Sequence, residues 1–505
     1  MMTRIDRHRL MRRFTLPWAV CALIGAAGWA TQTQAQAGDA SSSPSSLTQR
    51  ATEHANLVAG YQEHISNLQS EFGPYDERLI EPLENLTRAL LEVESYTEAL
   101  NALEQQLQIY RVNDGLYTAR QIPVIESRLE VHAATGEWPK VSDTLEYLSW
   151  VYERDSSLPV DQQLSGLKKL GGWHLKAVAQ DERAREAFHL LQLGRMEEKA
   201  ADLAERYYGE DSEALVPFIY DQALADTYIA LAIMLTGQTS QDLMFQTEGI
   251  RNSTAFRSSP SLYAGGRLSV TEIEAMYGSK VNTVIERSFK NRMSTSLSKL
   301  ERIKEIYEKS GNTEGEGIAL MYLGDSVLLR QQYERQSGNY ARTRRGTSNP
   351  GPAMSYYRDA LETFEEAGLT SNTLAAYTRC PVLLPVTGMD TSVEEAIPYC
   401  EQTGESGTTD LGNYDLLSTL IPGLESDPEA IDTPMTATIQ FGVRTNGQIN
   451  GLNIIEIEPD NTANRVQVRK LTELLQFRPA IQEGRAQPTE QAQLVVRMPA
   501  VKTND

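Results

Sequence analysis

The chain repeats itself. From Glu71 it reads EFGPYDERLIEPLENLTRALLEVE, with Leu79, Leu83, Leu86 and Leu90 at helical spacing, and a second helix opens at Ser95 and ends near Tyr110. Forty-two residues later the design returns: Tyr117 matches Tyr75, and Ile122, Ile125, Trp138, Val141, Leu145 and Tyr152 match Ile80, Leu83, Tyr96, Ala99, Leu103 and Tyr110. One helical hairpin cannot bury its apolar face alone, so a hairpin recurring at a fixed period predicts a stack with a shared core. A weaker unit runs from Phe188 to Tyr208, and a further helical pair includes Phe218 to Met234. IYEKSGNTEGEGIALMYLGD, from Ile306, is echoed by TFEEAGLTSNTLAAY, from Thr363, which is one repeat plus an insertion. Residues 251–278 are expected to be an irregular connection. Residues 330–352 carry five arginines against Glu334 and read as a solvated basic loop inside a repeat.

The last seventy or so residues change period. In MTATIQFGV, Met435, Ala437, Ile439, Phe441 and Val443 alternate with small or polar residues, the pattern of a strand with one buried face. Asn446-Gly447 signals a turn, and a second strand, INGLNIIEIE, starts at Ile449. After Pro459 a helix places Val468, Leu471 and Leu475 on one face and is expected to end at Phe477-Arg478-Pro479-Ala480, where proline stops it. Glu483-Gly484 makes a turn, and Gln491 to Met498 alternates as a last strand. The expected fold is mostly α, a helical-hairpin solenoid, followed by a small α+β domain of order strand, strand, helix, strand.

Two resemblances accompany these patterns. Hydrophobic-x-Phe-x-Val before Asn-Gly, then Ile-Asn-Gly-Leu-Asn-Ile-Ile, then Phe-Arg-Pro-Ala-x-x-x-Gly, over residues 434–500, resembles the C-terminal domain of TonB, the periplasmic energy transducer of Gram-negative bacteria. GPYDERLIEPL, RVNDGLYTARQIPVIESRL and GGWHLKA look like exported tetratricopeptide-repeat proteins of such bacteria, and Tyr322-Leu323-Gly324 and the Ala353–Ala360 stretch fit the small-and-aromatic pattern of those repeats. The TonB resemblance implies strand addition, in which an extended segment of an outer-membrane receptor pairs with a sheet edge. The expected partner-binding edge is the last strand, with Gln491, Gln493, Leu494, Val495 and Arg497. The alternative is a closed or self-paired strand that binds nothing.

The N-terminus sets the expected compartment. Arg4, Arg7, Arg9, Arg12 and Arg13 precede an apolar run from Thr15 to Ala30, and Ala35-Gln36-Ala37 is an A-x-A cleavage site. This reads as a secretory signal peptide cleaved after Ala37, placing the protein in the periplasm. The alternative keeps residues 1–37 as an inner-membrane anchor facing the periplasm, which suits a TonB-type energy transducer for outer-membrane transport. Removing five arginines and one aspartate from 47 basic and 68 acidic residues leaves 42 and 67, a charge of −25. That balance argues against nucleic acid and anionic lipid as partners. Cys380 and Cys400, the cysteines left after cleavage, are expected to form one disulfide.

The expected organisation is a signal peptide (1–37), a Ser-rich leader (38–46), helical repeats (47–403), an acidic linker (404–433) and the C-terminal module (434–500). The linker is the heart of a stretch from Cys380 to Val443 that has eleven acids and no Lys or Arg.

Catalytic and metal-binding patterns are missing from the sequence. There is no His-Glu-x-x-His, no Gly-x-Ser-x-Gly, no phosphate-cradling glycine loop and no calcium loop. His54, His64, His132, His174 and His189 fall in helical stretches and read as packed or exposed helix histidines, Trp173-His174 included. Tyr96, Trp138, Trp150 and Tyr152 read as interhelix core, and Glu197-Glu198 and Glu394-Glu395 as solvated faces. The expectation is therefore a non-enzymatic periplasmic scaffold for a protein or peptide of the cell envelope, without catalytic residues, cofactor, metal or small-molecule substrate.

Overall fold

The computed structural model describes residues 44–155, 157–181, 186–236, 281–336, 351–403, 407–415, 435–472 and 475–498. The expected signal peptide, the loop at 251–278, residues 337–350 of the basic loop and most of the acidic linker lie outside the described residues. The chain divides at Gly60 into two units. Helix α1 (Pro44–Phe72) crosses that boundary, and every other described element lies within residues 61–505.

The fold is mostly helical with a small strand-containing C-terminal region. Helices α2 (Ile80–Glu92), α3 (Tyr96–Asp114), α4 (Ile122–Ala134), α5 (Trp138–Arg154), α6 (Val160–Gln180), α7 (Glu186–Tyr208) and α8 (Val216–Thr236) pack in sequence order. Helices α9 (Val281–Ser310), α10 (Thr313–Gln336), α11 (Ala353–Glu366) and α12 (Ser371–Thr378) come next along the chain. The 42-residue period is a period of burial: Leu83 and Ile125, Ala99 and Val141, Leu103 and Leu145, Tyr110 and Tyr152 are all core residues. The 57-residue echo is a repeated turn, since Gly311 and Gly368 both have positive φ between consecutive helices. The stretch from Phe188 to Tyr208 is not a hairpin of its own. It lies within α7, which runs through Gly194 and pairs with α6 and α8.

Three of the turns between helices share a design. Gly73, Gly115 and Gly209, at φ between 92° and 99°, each end a helix, and a short 3₁₀ turn then opens the next. Asp76 and Ser212 cap two of those turns through backbone N–H groups of Arg78 and Ala214. Neighbouring turns are tied together: Asn113 donates to the Tyr75 carbonyl (2.8 Å), the Ala119 N–H to Asp155, and Lys309 to Asp211 (2.6 Å). Trp150 is on the surface rather than in the core, 38% exposed, edge-on to Tyr117, with Arg154 over both rings.

Helix α10 packs by slots. A Cβ on Gly315, Gly317 or Gly324 would lie about 2.5 Å from the rings of Tyr307, Phe364 and Tyr357 respectively. The small-and-aromatic pattern thus becomes ring-over-glycine contact with α9 and α11.

The C-terminal strands are β1 (Val382–Leu384), β2 (Glu401–Thr403), β3 (Thr408–Asp415), β4 (Met435–Val443), β5 (Ile449–Glu458), β6 (Gln476–Arg478), β7 (Ala480–Gln482), β8 (Arg485–Gln487) and β9 (Thr489–Met498). Helix α13 (Thr462–Thr472) comes after β5. The main sheet has the order β2-β3-β9-β4-β5, with β4 antiparallel to both β5 and β9 and β3 parallel to β9. The buried face of β4 carries Met435, Ala437, Ile439, Phe441 and Val443, as the alternation predicts. Val468 and Leu475 are buried with it.

Two expectations are corrected. The helix stops at Thr472, and Gln476–Arg478, with the Phe-Arg of the Phe-Arg-Pro-Ala motif, form a strand antiparallel to β1. Part of the expected linker is also a strand: Thr408–Asp415 gains its ladder bonds from β9 and β2, so Gly412 and its two aspartates do not keep it out of the sheet. The turns hold. Glu483 and Gly484 both have positive φ (50° and 66°), the signature of a two-residue hairpin. Gly447 has φ 76°, and a Cβ there would sit 1.9 Å from the Phe477 carbonyl oxygen, whose residue donates its N–H to the Gly447 carbonyl.

Candidate functional site

A buried charge pair ties β6, the partner of β1, to helix α10. Arg478 and Asp325 of α10 lie 153 residues apart in sequence, and both side chains are about 95% buried. The Arg478 guanidinium grips the Asp325 carboxylate with two bonds, one at 2.8 Å from Nε to Oδ1 and one from Nη2 to Oδ2. Tyr357 donates its hydroxyl to the same carboxylate at 2.8 Å, and Arg478 Nη1 donates to the Tyr377 hydroxyl. The loop after β1 is pinned beside them, as Tyr322 donates to Asp390 (2.7 Å) and Tyr220 to the Val386 carbonyl (2.7 Å). Burial raises the pKa of Tyr220, Tyr322, Tyr357 and Tyr377, so these hydroxyls stay neutral. Arg478, Asp325 and the four tyrosine hydroxyls all have partners, whereas the buried Ser326 hydroxyl on the wall of the cavity beside Asp325 has none, and that cavity, about 30 Å³, has room for little more than a water. This is a docking bond between β6 and α10.

Next to the joint lies an open groove of about 1080 Å³. One wall is α11 and α12, with Arg358, Glu362, Glu365 and Arg379; the other is the β7–β8 hairpin and the start of β9, with Glu483, Thr489, Glu490 and Gln491. Arg358 and Arg379 are oriented by backbone carbonyls, those of Met354 and Cys400. Cys380 and Cys400 are paired at the end of α12, with Cα atoms 6.4 Å apart, as expected. The disulfide therefore fixes the segment that leads into β2.

The predicted partner-binding strand is displaced from its expected place. Gln491, Gln493, Leu494, Val495 and Arg497 lie on β9, which is an interior strand between β3 and β4, not an edge. Leu494 is core, Gln493 and Val495 are half-buried, and Gln491 and Arg497 are exposed. The β3–β9 register runs from Ala492 to Arg497, so Thr489–Gln491 extend beyond it into the groove. The long outer strand is β5, whose exposed Glu456 and Glu458 and irregular register suit a strand kept from adventitious pairing.

Two clusters inside the helices escape sequence reading. His174 and His189 meet through their Nδ1 atoms at 3.0 Å, and His189 Nε2 lies 2.8 Å from Asp181. Ser142 reaches the same carboxylate and the same nitrogen, at 3.3 and 3.5 Å. A nucleophile's base needs its carboxylate on the opposite ring nitrogen. Here serine and carboxylate crowd one nitrogen in a buried pocket, so the cluster holds α5, α6 and α7 together. Burial, and then His189, push His174 down to about 3. In the second cluster, Glu197 of the expected solvated pair is buried while Glu198 is exposed, because α7 turns Glu197 toward α6 and α8. Gly171 gives it room: a Cβ there would lie 2.4 Å from Glu197 Oε1. Burial, and then Asp221, raise Glu197 to about 8.

Among the described residues no group of three or more His, Cys, Asp or Glu side chains is placed to hold a metal, and no helix is long and apolar enough to cross a membrane. A comparison with protein-family models finds no match, and a comparison with curated proteins finds no relative.

Proposed function

We infer that this chain is a protein-binding scaffold of the cell envelope. In this reading, helical hairpins of the tetratricopeptide-repeat kind carry a C-terminal module of the TonB kind. An extended segment of an envelope protein, an outer-membrane protein included, enters the groove between them. The observation that carries the reading is the groove: open, about 1080 Å³, with helices on one wall and strand backbone at Thr489–Gln491 on the other. A peptide in such a groove pairs its main chain with the strand and presents side chains to Arg358, Arg379 and the glutamates. The Ala35-Gln36-Ala37 site and the −21 charge fit an exported protein that keeps clear of nucleic acid.

A photo-crosslinking residue at Glu490 in intact cells tests the groove, with the same residue at exposed Val466 on α13 as control. Envelope-protein adducts are expected from position 490 and not from 466. Equal adduct patterns at the two positions, or none at 490, would sink the reading. N-terminal sequencing of the same preparation should begin at Gly38. An intact Met1 would favour the anchored transducer instead.

A further inference from the structure

We propose that the β2–β3 hairpin is a built-in occupant of β9, an autoinhibitory strand that must leave before another strand can pair with Ala492–Arg497. The proposal rests on the strand-binding reading above and adds the step that limits it.

The two neighbours of β9 are held unequally. β4 pairs with it antiparallel from Met435 opposite Met498 to Val443 opposite Thr489, with one register shift near its end between Phe441 and Val443, and places five buried apolar side chains in the core. β3 pairs in parallel, over the shorter register from Thr409 opposite Ala492 to Asp415 opposite Arg497, and a bulge between Asp410 and Asn413 breaks the ladder. Parallel pairing is the slightly weaker kind per residue, and the bulge removes bonds from an already short ladder. The apolar anchors of β3 are Leu411 and Tyr414, both only half-buried, and Asn413 is exposed. Losing β3 would therefore uncover far less apolar surface than losing β4.

The connections allow the movement. β2 begins directly after Cys400, so the hairpin hangs from the disulfide to Cys380 and from the Arg379 bond to the Cys400 carbonyl. At its other end β3 finishes beside Arg497 and β4 starts beside Met498, two strand spacings or ~10 Å away. Asp415 and Met435 are 20 residues apart in sequence, a contour of ~60 Å or more, so chain length alone does not tie β3 to β4. Thr489 and Glu490, beyond β3 in the groove, offer an incoming strand its first contacts, while Gln491 accepts from the Thr408 hydroxyl at the start of β3 (3.2 Å). The disulfide is the brake, because it holds the base of the hairpin at α12.

Hydrogen exchange by mass spectrometry on the full chain tests this, with a Cys380→Ser/Cys400→Ser variant beside the oxidised protein. Peptides covering 408–415 should exchange about tenfold or more faster than those covering β4 in the oxidised protein, and faster again in the variant, while β4 and β5 keep their rates. A biotinylated synthetic peptide of residues 407–416 should bind the variant about tenfold more tightly than the oxidised protein. If β3 and β4 exchange in step in the oxidised protein, β3 is a permanent strand and the proposal falls, whether or not the variant folds. A peptide that binds neither form overturns the proposal equally. The groove reading survives either result, since crosslinking at position 490 does not depend on β3.

Discussion

Breaking the Arg478–Asp325 pair should loosen the β1–β6 ribbon from helix α10. Both side chains are about 95% buried, and the bond is bidentate. Replacing Arg478 by Met leaves the Asp325 carboxylate buried with only the Tyr357 hydroxyl as a donor. Removing one partner of such a pair costs about 3–5 kcal/mol, a large share of the about 5–15 kcal/mol that holds a typical fold. Asp325→Asn should cost a similar amount, by stranding the guanidinium. The double variant Asp325→Leu/Arg478→Met removes both charges and both desolvation penalties. Its cost should fall to about 1 kcal/mol, mostly the Tyr357 hydroxyl left without an acceptor. The double-mutant cycle should then show a coupling of several kcal/mol. Urea unfolding followed by tryptophan emission and far-UV circular dichroism measures it, since Trp138, Trp150 and Trp173 all report from the helices. Each single variant should lower the midpoint seen by tryptophan and make the two probes diverge. Single variants within about 1 kcal/mol of wild type, or a double variant as costly as the sum of the singles, would refute the argument.

Three other sites give sharp expectations. Gly324→Ala should cost about 1–3 kcal/mol, because its Cβ meets the Tyr357 ring at 2.4 Å; in a Tyr357→Leu background the same change should cost clearly less in the same urea assay, and an equal cost in both backgrounds would remove the slot explanation. Glu197 sits at about 8 in the fold against an ordinary value near 4.5, so its contribution is intact below pH ~4.5 and is lost as pH rises to about 8. Stability should fall by up to ~1.4 kcal/mol per pH unit across that window and less in Glu197→Gln, whereas a constant gap between the two proteins from pH 5 to 8 would contradict the burial argument. The Cys380–Cys400 loop, 20 residues in sequence separation, should add ~3 kcal/mol by chain entropy, and thiol labelling of denatured, unreduced protein should find no free thiol.

The helical part was legible because its information is local. A 42-residue period of apolar positions names the core of each hairpin without reference to anything distant, and Leu83, Val141, Leu145 and Tyr152 are buried accordingly. The alternation in Met435–Val443 and the Glu483-Gly484 turn are local signals of the same kind, and both hold. What the sequence left open depends on partners far along the chain. The last strand has the same alternation whether its free side faces solvent or β3, and only the sheet order makes it interior. Residues 408–415, with Asp410, Gly412, Asn413 and Asp415, have little strand propensity, and they become a strand because β9 and β2 supply the hydrogen-bond partners. Arg478 looked like the end of a helix until Asp325, 153 residues earlier, supplied its counter-charge. Ser142, His174 and His189 sit on three helices, and with Asp181 they meet only where those helices cross. Burial side by side is encoded every few residues, whereas the identity of a strand's neighbour or a buried charge's partner is a property of the whole chain.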